Sequence, residues 1–254
     1  MSNREDYNEK IGIIMAIPDE EVKTPYVPVD TFIQEAENTH YWAEKDKEEL
    51  LRAGLPAEII DDIPKRAGAC REAQSRWNEK FNQQKDAEKE WKKKAPEAYD
   101  LHATLLHDFR FAYRNDKYLS NRVSAIGDGY GHDDMFQDLN DMSVLGKANP
   151  EPLKAIGLDM SLLNEAARIS DEMATLLTQV NGERVSTSEA KLIRDKTYMY
   201  LKEAVDEVRA YGKYVFWRDA ERLKRYSSEY IRKINQKRDK PEELESMEDA
   251  PETG

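Results

Sequence analysis

The chain has 254 residues, enough for one large domain or two small ones. With 35% charged residues and a mean hydropathy of −0.87 it is polar for a compact globule but normal for long helices with wide solvated faces, which predicts an elongated bundle. A formal charge of −12 opposes any role as a coat for nucleic acid or anionic lipid over the whole surface, and a single cysteine, Cys70, excludes an intrachain disulfide or a thiolate metal cluster.

Pro18, Pro25 and Pro28 fix φ and block helix continuation, so residues 1–29 are predicted as an extended arm with a short strand or turn at 11–17. The apolar run from Ile11 to Ile17 is too short to span a bilayer and lacks the basic flank and cleavage site of a signal peptide. No membrane association is expected, and with one cysteine a cytoplasmic location is. Asp30 is placed to cap a helix reaching Ala53, and Gly54 is a natural residue to end it.

From Ile63 the spacing alternates four and three through Ala67, Cys70, Gln74, Trp77, Phe81, Gln84, Glu88 and Trp91, which keeps one seam facing a partner helix. Pro64 suits the first turn of that helix. Pro96 is predicted to end it and start a second, carried by Ala98, His102, Leu105, Phe109, Ala112, Leu119 and Ile126, the two forming an antiparallel hairpin. Gly127, Gly129 and Gly131 then break the chain, and a short helix is expected over 133–145, with Asp133 or Asp134 as its cap.

A further seam, Leu162, Ala166, Ile169, Met173, Leu176 and Val180, is expected to end at Asn181-Gly182. Ser186-Thr187-Ser188-Glu189 reads as a capping box, opening a last helix that no proline interrupts before Pro241. Residues 241–254 contain six acidic and no basic residues and are predicted to be a disordered acidic tail. The expected architecture is therefore all-α: an antiparallel bundle of four to five long helices with one or two short ones at 30–240, between the arm and the tail.

Candidate chemistry is sparse. Glu37 and His40 have the Glu-x-x-His spacing of di-iron bundles, and a metal-dependent enzyme with a bundle-core site is one alternative. No second Glu-x-x-His occurs, and His102 and His107 fall on different helix faces. The Gly-x-Gly-x-Gly run lacks the preceding strand of a phosphate cradle, no Gly-x-Ser-x-Gly elbow occurs, and no cofactor is implied.

Charge is the clearest anomaly. Residues 209–240 hold eleven Lys or Arg against four Asp or Glu, a formal +7, interleaved with Tyr211, Tyr214, Phe216, Trp217, Tyr226 and Tyr230. That pattern suits stacking and phosphate contact, so nucleic-acid binding is the second alternative, set against neutralisation of these cations within the fold. The expected function is a non-catalytic interaction or scaffold protein, self-associating or binding another protein. Its expected contact residues are Ile11, Ile13, Ile14 and Ile17 on the arm, with Arg218, Arg222 and Arg225 on the last helix.

Overall fold

The computed structural model describes residues 2–238, so the predicted tail at 241–254 lies outside the described residues. Among the described residues there are ten α-helices, one short 3-10 turn at Asp19–Glu21 and no strand. In chain order the helices are α1 (Asn3–Met15), α2 (Val29–Lys45), α3 (Lys47–Arg52), α4 (Ala57–Ala112) and α5 (Lys117–Ile126). They continue with α6 (His132–Ala148), α7 (Pro150–Ala155), α8 (Ser161–Val215), α9 (Ala220–Arg225) and α10 (Glu229–Arg238).

Two long helices replace the predicted four or five. Helix α4 runs 56 residues through both Pro64 and Pro96, so no hairpin forms at Pro96; α8 runs 55 residues through Asn181-Gly182 and Ser186. An interior proline costs a helix roughly 3 kcal/mol and an interior glycine roughly 1 kcal/mol. Both breakers are overruled because the apolar seam continues in phase across them. Trp91 and Ala98 are one heptad apart, with Ala95 and Ala98 buried; Val180, Thr187, Arg194 and Leu201 hold the same seven-residue step, and all four are buried. Ser186, the expected cap, lies inside α8 and starts no helix, and its neighbour Thr187 donates its hydroxyl to the Lys80 carbonyl at 3.1 Å.

The N-terminal segment is also corrected. Residues Asn3–Met15 are helical, started by a reciprocal box in which Glu5 N–H donates to Ser2 Oγ at 3.3 Å and Ser2 N–H donates to Glu5 Oε2 at 2.7 Å. The prolines act only from Pro18 onward. The helix expected over 30–53 divides at Asp46 into α2 and α3, and Gly54 follows it at φ +104, a conformation that favours glycine.

The predicted single last helix stops at Val215, followed by α9 and α10. Asp219 caps α9 by accepting from the Glu221 and Arg222 N–H groups, and Ser228 Oγ caps α10 by accepting from Ile231 N–H at 3.2 Å. Gly212 makes the fold-back possible: a Cβ there would overlap the Tyr226 ring, which is fully buried and stacks on Phe216 at 5.6 Å.

The chain divides into two compact units, one from Met1–Trp77 with Ala190–Gly254 and the other Asn78–Glu189. In the first, α2, α3, α9 and α10 pack with α4 and α8 around Phe32, Ile33, Leu50, Ile60, Ile63, Leu201, Val205 and Tyr226. Cys70 belongs to this core, where burial pushes its thiol up to about 12, so it behaves as a small apolar residue. In the second, α5, α6 and α7 pack with α4 and α8 around Leu105, Phe109, Leu139, Met142, Leu153 and Leu163. There α4 and α8 run antiparallel, pairing Lys80 with Thr187, Glu88 with Arg184 and Lys94 with Glu172.

Candidate functional site

The arm residues are largely spent within the first unit. Ile14 is fully buried against Tyr7, Ala69, Ala73 and Tyr200, Ile11 and Ile17 pack at the edge of the same cluster, and only Ile13 remains exposed. Burying an isoleucine contributes about 2 kcal/mol, enough to hold α1 on its own unit. An acidic stitch adds to this: Lys10 Nζ lies 2.7 Å from Asp62 Oδ1, and Lys65 Nζ lies 2.9 Å from Glu9 Oε1.

Glu37 and His40 do not converge on one point. Glu37 accepts from Arg71 Nη2 at 2.7 Å, whereas His40 Nδ1 donates to the Ile60 carbonyl at 3.1 Å. Among the described residues no group of three His, Cys, Asp or Glu side chains comes together to hold a metal ion. The role of His40 follows from Pro64. Proline has no N–H, so the Ile60 carbonyl four residues earlier loses its helical donor, and His40 on α2 supplies the replacement. Replacing His40 by Ala should therefore destabilise the protein by about 1 to 3 kcal/mol, the cost of an orphaned buried carbonyl. Restoring a donor from within α4, with His40→Ala combined with Pro64→Ala, should recover part of that loss in a denaturant titration.

Residues 209–238 form the densest polar assembly of the first unit. Glu35 on α2 is buried and receives three donors: Arg209 Nη2 at 2.9 Å, Ser228 Oγ at 3.0 Å and Tyr230 N–H at 2.8 Å. Asp46, also buried, accepts from Arg222 Nη2 at 2.7 Å and from Tyr226 Oη at 2.7 Å. Burial and the neighbouring Asp46 carboxylate both push the Tyr226 phenol well above its ordinary range, so it stays protonated as a donor. Two carboxylates thus hold the α9–α10 segment onto α2 and α3.

The three expected contact arginines separate in this setting. Arg222 is committed to Asp46 and Glu49 and stacks on Phe216 at 3.6 Å; Arg225 lies 4.0 Å over the Trp42 ring; Arg218 stands exposed, 4.4 Å over the Trp217 ring. Trp217 is 64% exposed and Tyr214 is 71% exposed. The fold also neutralises part of the basic run, since Lys224 pairs with Glu221 and Lys233 with Glu229, each at 2.6 Å.

In the second unit, His102 Nε2 donates to Asp138 Oδ2 at 2.9 Å, and burial pushes the Asp138 carboxyl upward despite that hydrogen bond. His132 opens α6, with its Nδ1 2.5 Å from Tyr99 Oη and its ring 4.8 Å from Trp91. Asp133 and Asp134 lie in the first turn of α6, where they favour the helix dipole, and neither caps it; the capping position is Gly131, at φ +156. His102 and His132 therefore each have a local partner, Asp138 and Tyr99.

Sequence reasoning placed Arg209 in the basic run without a partner and did not single out Glu35 or Arg232. No local signal in the sequence pairs Glu35 with these cations; only the fold-back at Gly212 brings them together. No protein-family model matches the chain, and neither a curated protein nor a solved structure shows significant similarity to it.

Proposed function

We propose that the protein is a non-catalytic interaction module that binds another protein chain through the last turn of α8 and the turn that follows it, at Tyr214, Trp217 and Arg218. The observation that carries this reading is the exposure of Tyr214 and Trp217, at 71% and 64%, three residues apart and beside a guanidinium stacked on the indole. Single exposed apolar residues are ordinary, whereas a Trp, a Tyr and an Arg together have the composition of an interface hot spot. The matching partner surface is an apolar side chain flanked by carboxylates, which would meet the rings and the Arg218 charge together.

A protein partner is favoured over nucleic acid because the basic run is partly consumed internally. Arg209, Arg222, Lys224 and Lys233 are each paired with carboxylates, which removes them from any phosphate-tracking stripe. The metal-dependent alternative loses its motivation, since Glu37 and His40 are engaged with Arg71 and the Ile60 carbonyl.

The test pairs wild type with the double variant Tyr214→Ala/Trp217→Ala in affinity capture from the native cell. Recovered partner is then titrated against each. Exposed substitutions should leave stability within about 0.5 kcal/mol, while loss of hot-spot contacts weakens binding by about 30-fold or more. Equal affinity of the same partner for both proteins would contradict the reading.

A further inference from the structure

A recess in the first unit, lined by none of Tyr214, Trp217 and Arg218, has a different character. It encloses about 290 Å³ between α2 and the α9–α10 segment, and its wall includes Asn38, Trp42, Arg209, Lys224, Arg225 and Arg232. Three carboxylates also line it, but each is already taken. Glu35 serves Arg209, Ser228 and Tyr230; Glu221 serves Lys224; Glu229 serves Lys233. The paired cations hold both Glu221 and Glu229 below the usual carboxylate range, so they stay ionised and occupied.

What remains is positive. Arg225 lies over the Trp42 ring and Arg232 lines the recess; neither forms a direct ion pair among the described residues, although Glu221 acts on Arg225 and Glu229 on Arg232 through their charges. Two guanidinium Nε–H donors in the wall, those of Arg209 and Arg232, are buried with nothing to receive them. Arg209 is 8% exposed, so water does not readily satisfy its free donor. Asn38 uses its amide oxygen for Gln34, which leaves its amide N–H groups to donate as well.

We infer that this recess is a binding site for the phosphate group of a small molecule, held by Arg225 and Arg232. Two free guanidinium groups match a dianion in charge, and their planar forks present paired N–H donors to its oxygens. The recess, at about 290 Å³, leaves room beside a phosphate for a small substituent. The site is separate from the Tyr214–Trp217 surface, and either can fail without the other.

The experiment is calorimetric titration of the full chain with inorganic phosphate and with phenyl phosphate, at constant ionic strength held by chloride. Saturable binding of either is expected, with phenyl phosphate the tighter if the substituent contacts Trp42. Arg232→Gln should weaken it at least tenfold, and Arg225→Gln, which leaves the Arg209–Glu35 pair untouched, should do the same in folded protein. Arg168→Gln, in the other unit, should leave affinity unchanged. Absence of saturable heat with both probes would overturn the site, as would unchanged affinity in both the Arg225 and Arg232 variants.

Discussion

Replacing Glu35 by Ala should destabilise the protein by about 3 to 5 kcal/mol, the cost of leaving one member of a buried ion pair without the other. Glu35 is 7% exposed and Arg209 8% exposed, and the two meet at 2.9 Å from segments 174 residues apart in the chain. The substitution strands the Arg209 charge in the core and also removes the acceptor for Ser228 and Tyr230 at the start of α10. For a chain of this size the melting temperature should fall by on the order of 10 °C. Glu35→Gln keeps an oxygen for the α10 donors while losing the charge, so its effect should be intermediate. A melting temperature for Glu35→Ala within about 2 °C of wild type would show that the pair is not the anchor described.

Gly212→Ala is expected to cost about 3 kcal/mol, the upper part of the usual range for overpacking a filled core. The added methyl would occupy the space of the Tyr226 ring, and that ring has no room to retreat: it is fully buried, stacked on Phe216 and hydrogen-bonded to Asp46. Losing that docking frees α9 and α10 from α2. The prediction has an internal control in non-additivity. Once Tyr226→Leu has removed the ring, adding Gly212→Ala should cost much less than it does alone, because both changes act on one contact. Strictly additive losses in a denaturant titration would refute the packing argument.

Fold class was legible because a four-three apolar spacing fits only a helix. The spacing also carried more than the predicted boundaries used. Trp91 to Ala98 and Val180 to Thr187 are unbroken seven-residue steps, and an unbroken phase outweighs a local breaker once both seams are buried. Pro96 and Asn181-Gly182 therefore interrupt the propensity of the chain but not its helices. Pro64 shows the accompanying device, since its missing donor is made good by His40 from another helix. That compensation depends on tertiary contact and has no local signature. The same holds for Gly212, whose role exists only once Tyr226 has folded back onto it. The Ser2–Glu5 capping box, by contrast, is a local signal present in the sequence that the extended-arm expectation did not use, and the prolines act only from residue 18 onward.

Of the candidate site, the anomaly was visible and its partition was not. Composition marks 209–240 as basic and aromatic, but which cations are spent depends on Glu35, Asp46 and Glu49 arriving from α2 and α3. Arg218 is left exposed on Trp217, Arg222 is consumed, and Arg225 turns toward Trp42.

The central claim is that Trp217 lies at a protein interface. A photoreactive amino acid placed at position 217 in the full chain, irradiated in the native cell and analysed by mass spectrometry, tests it directly. The prediction is a covalent adduct with one defined protein, either a different chain or a second copy of this one, reduced about tenfold when Tyr214 is also replaced by Ala. An adduct yield no higher than from the same group placed at exposed Tyr130 in the other unit would contradict the account.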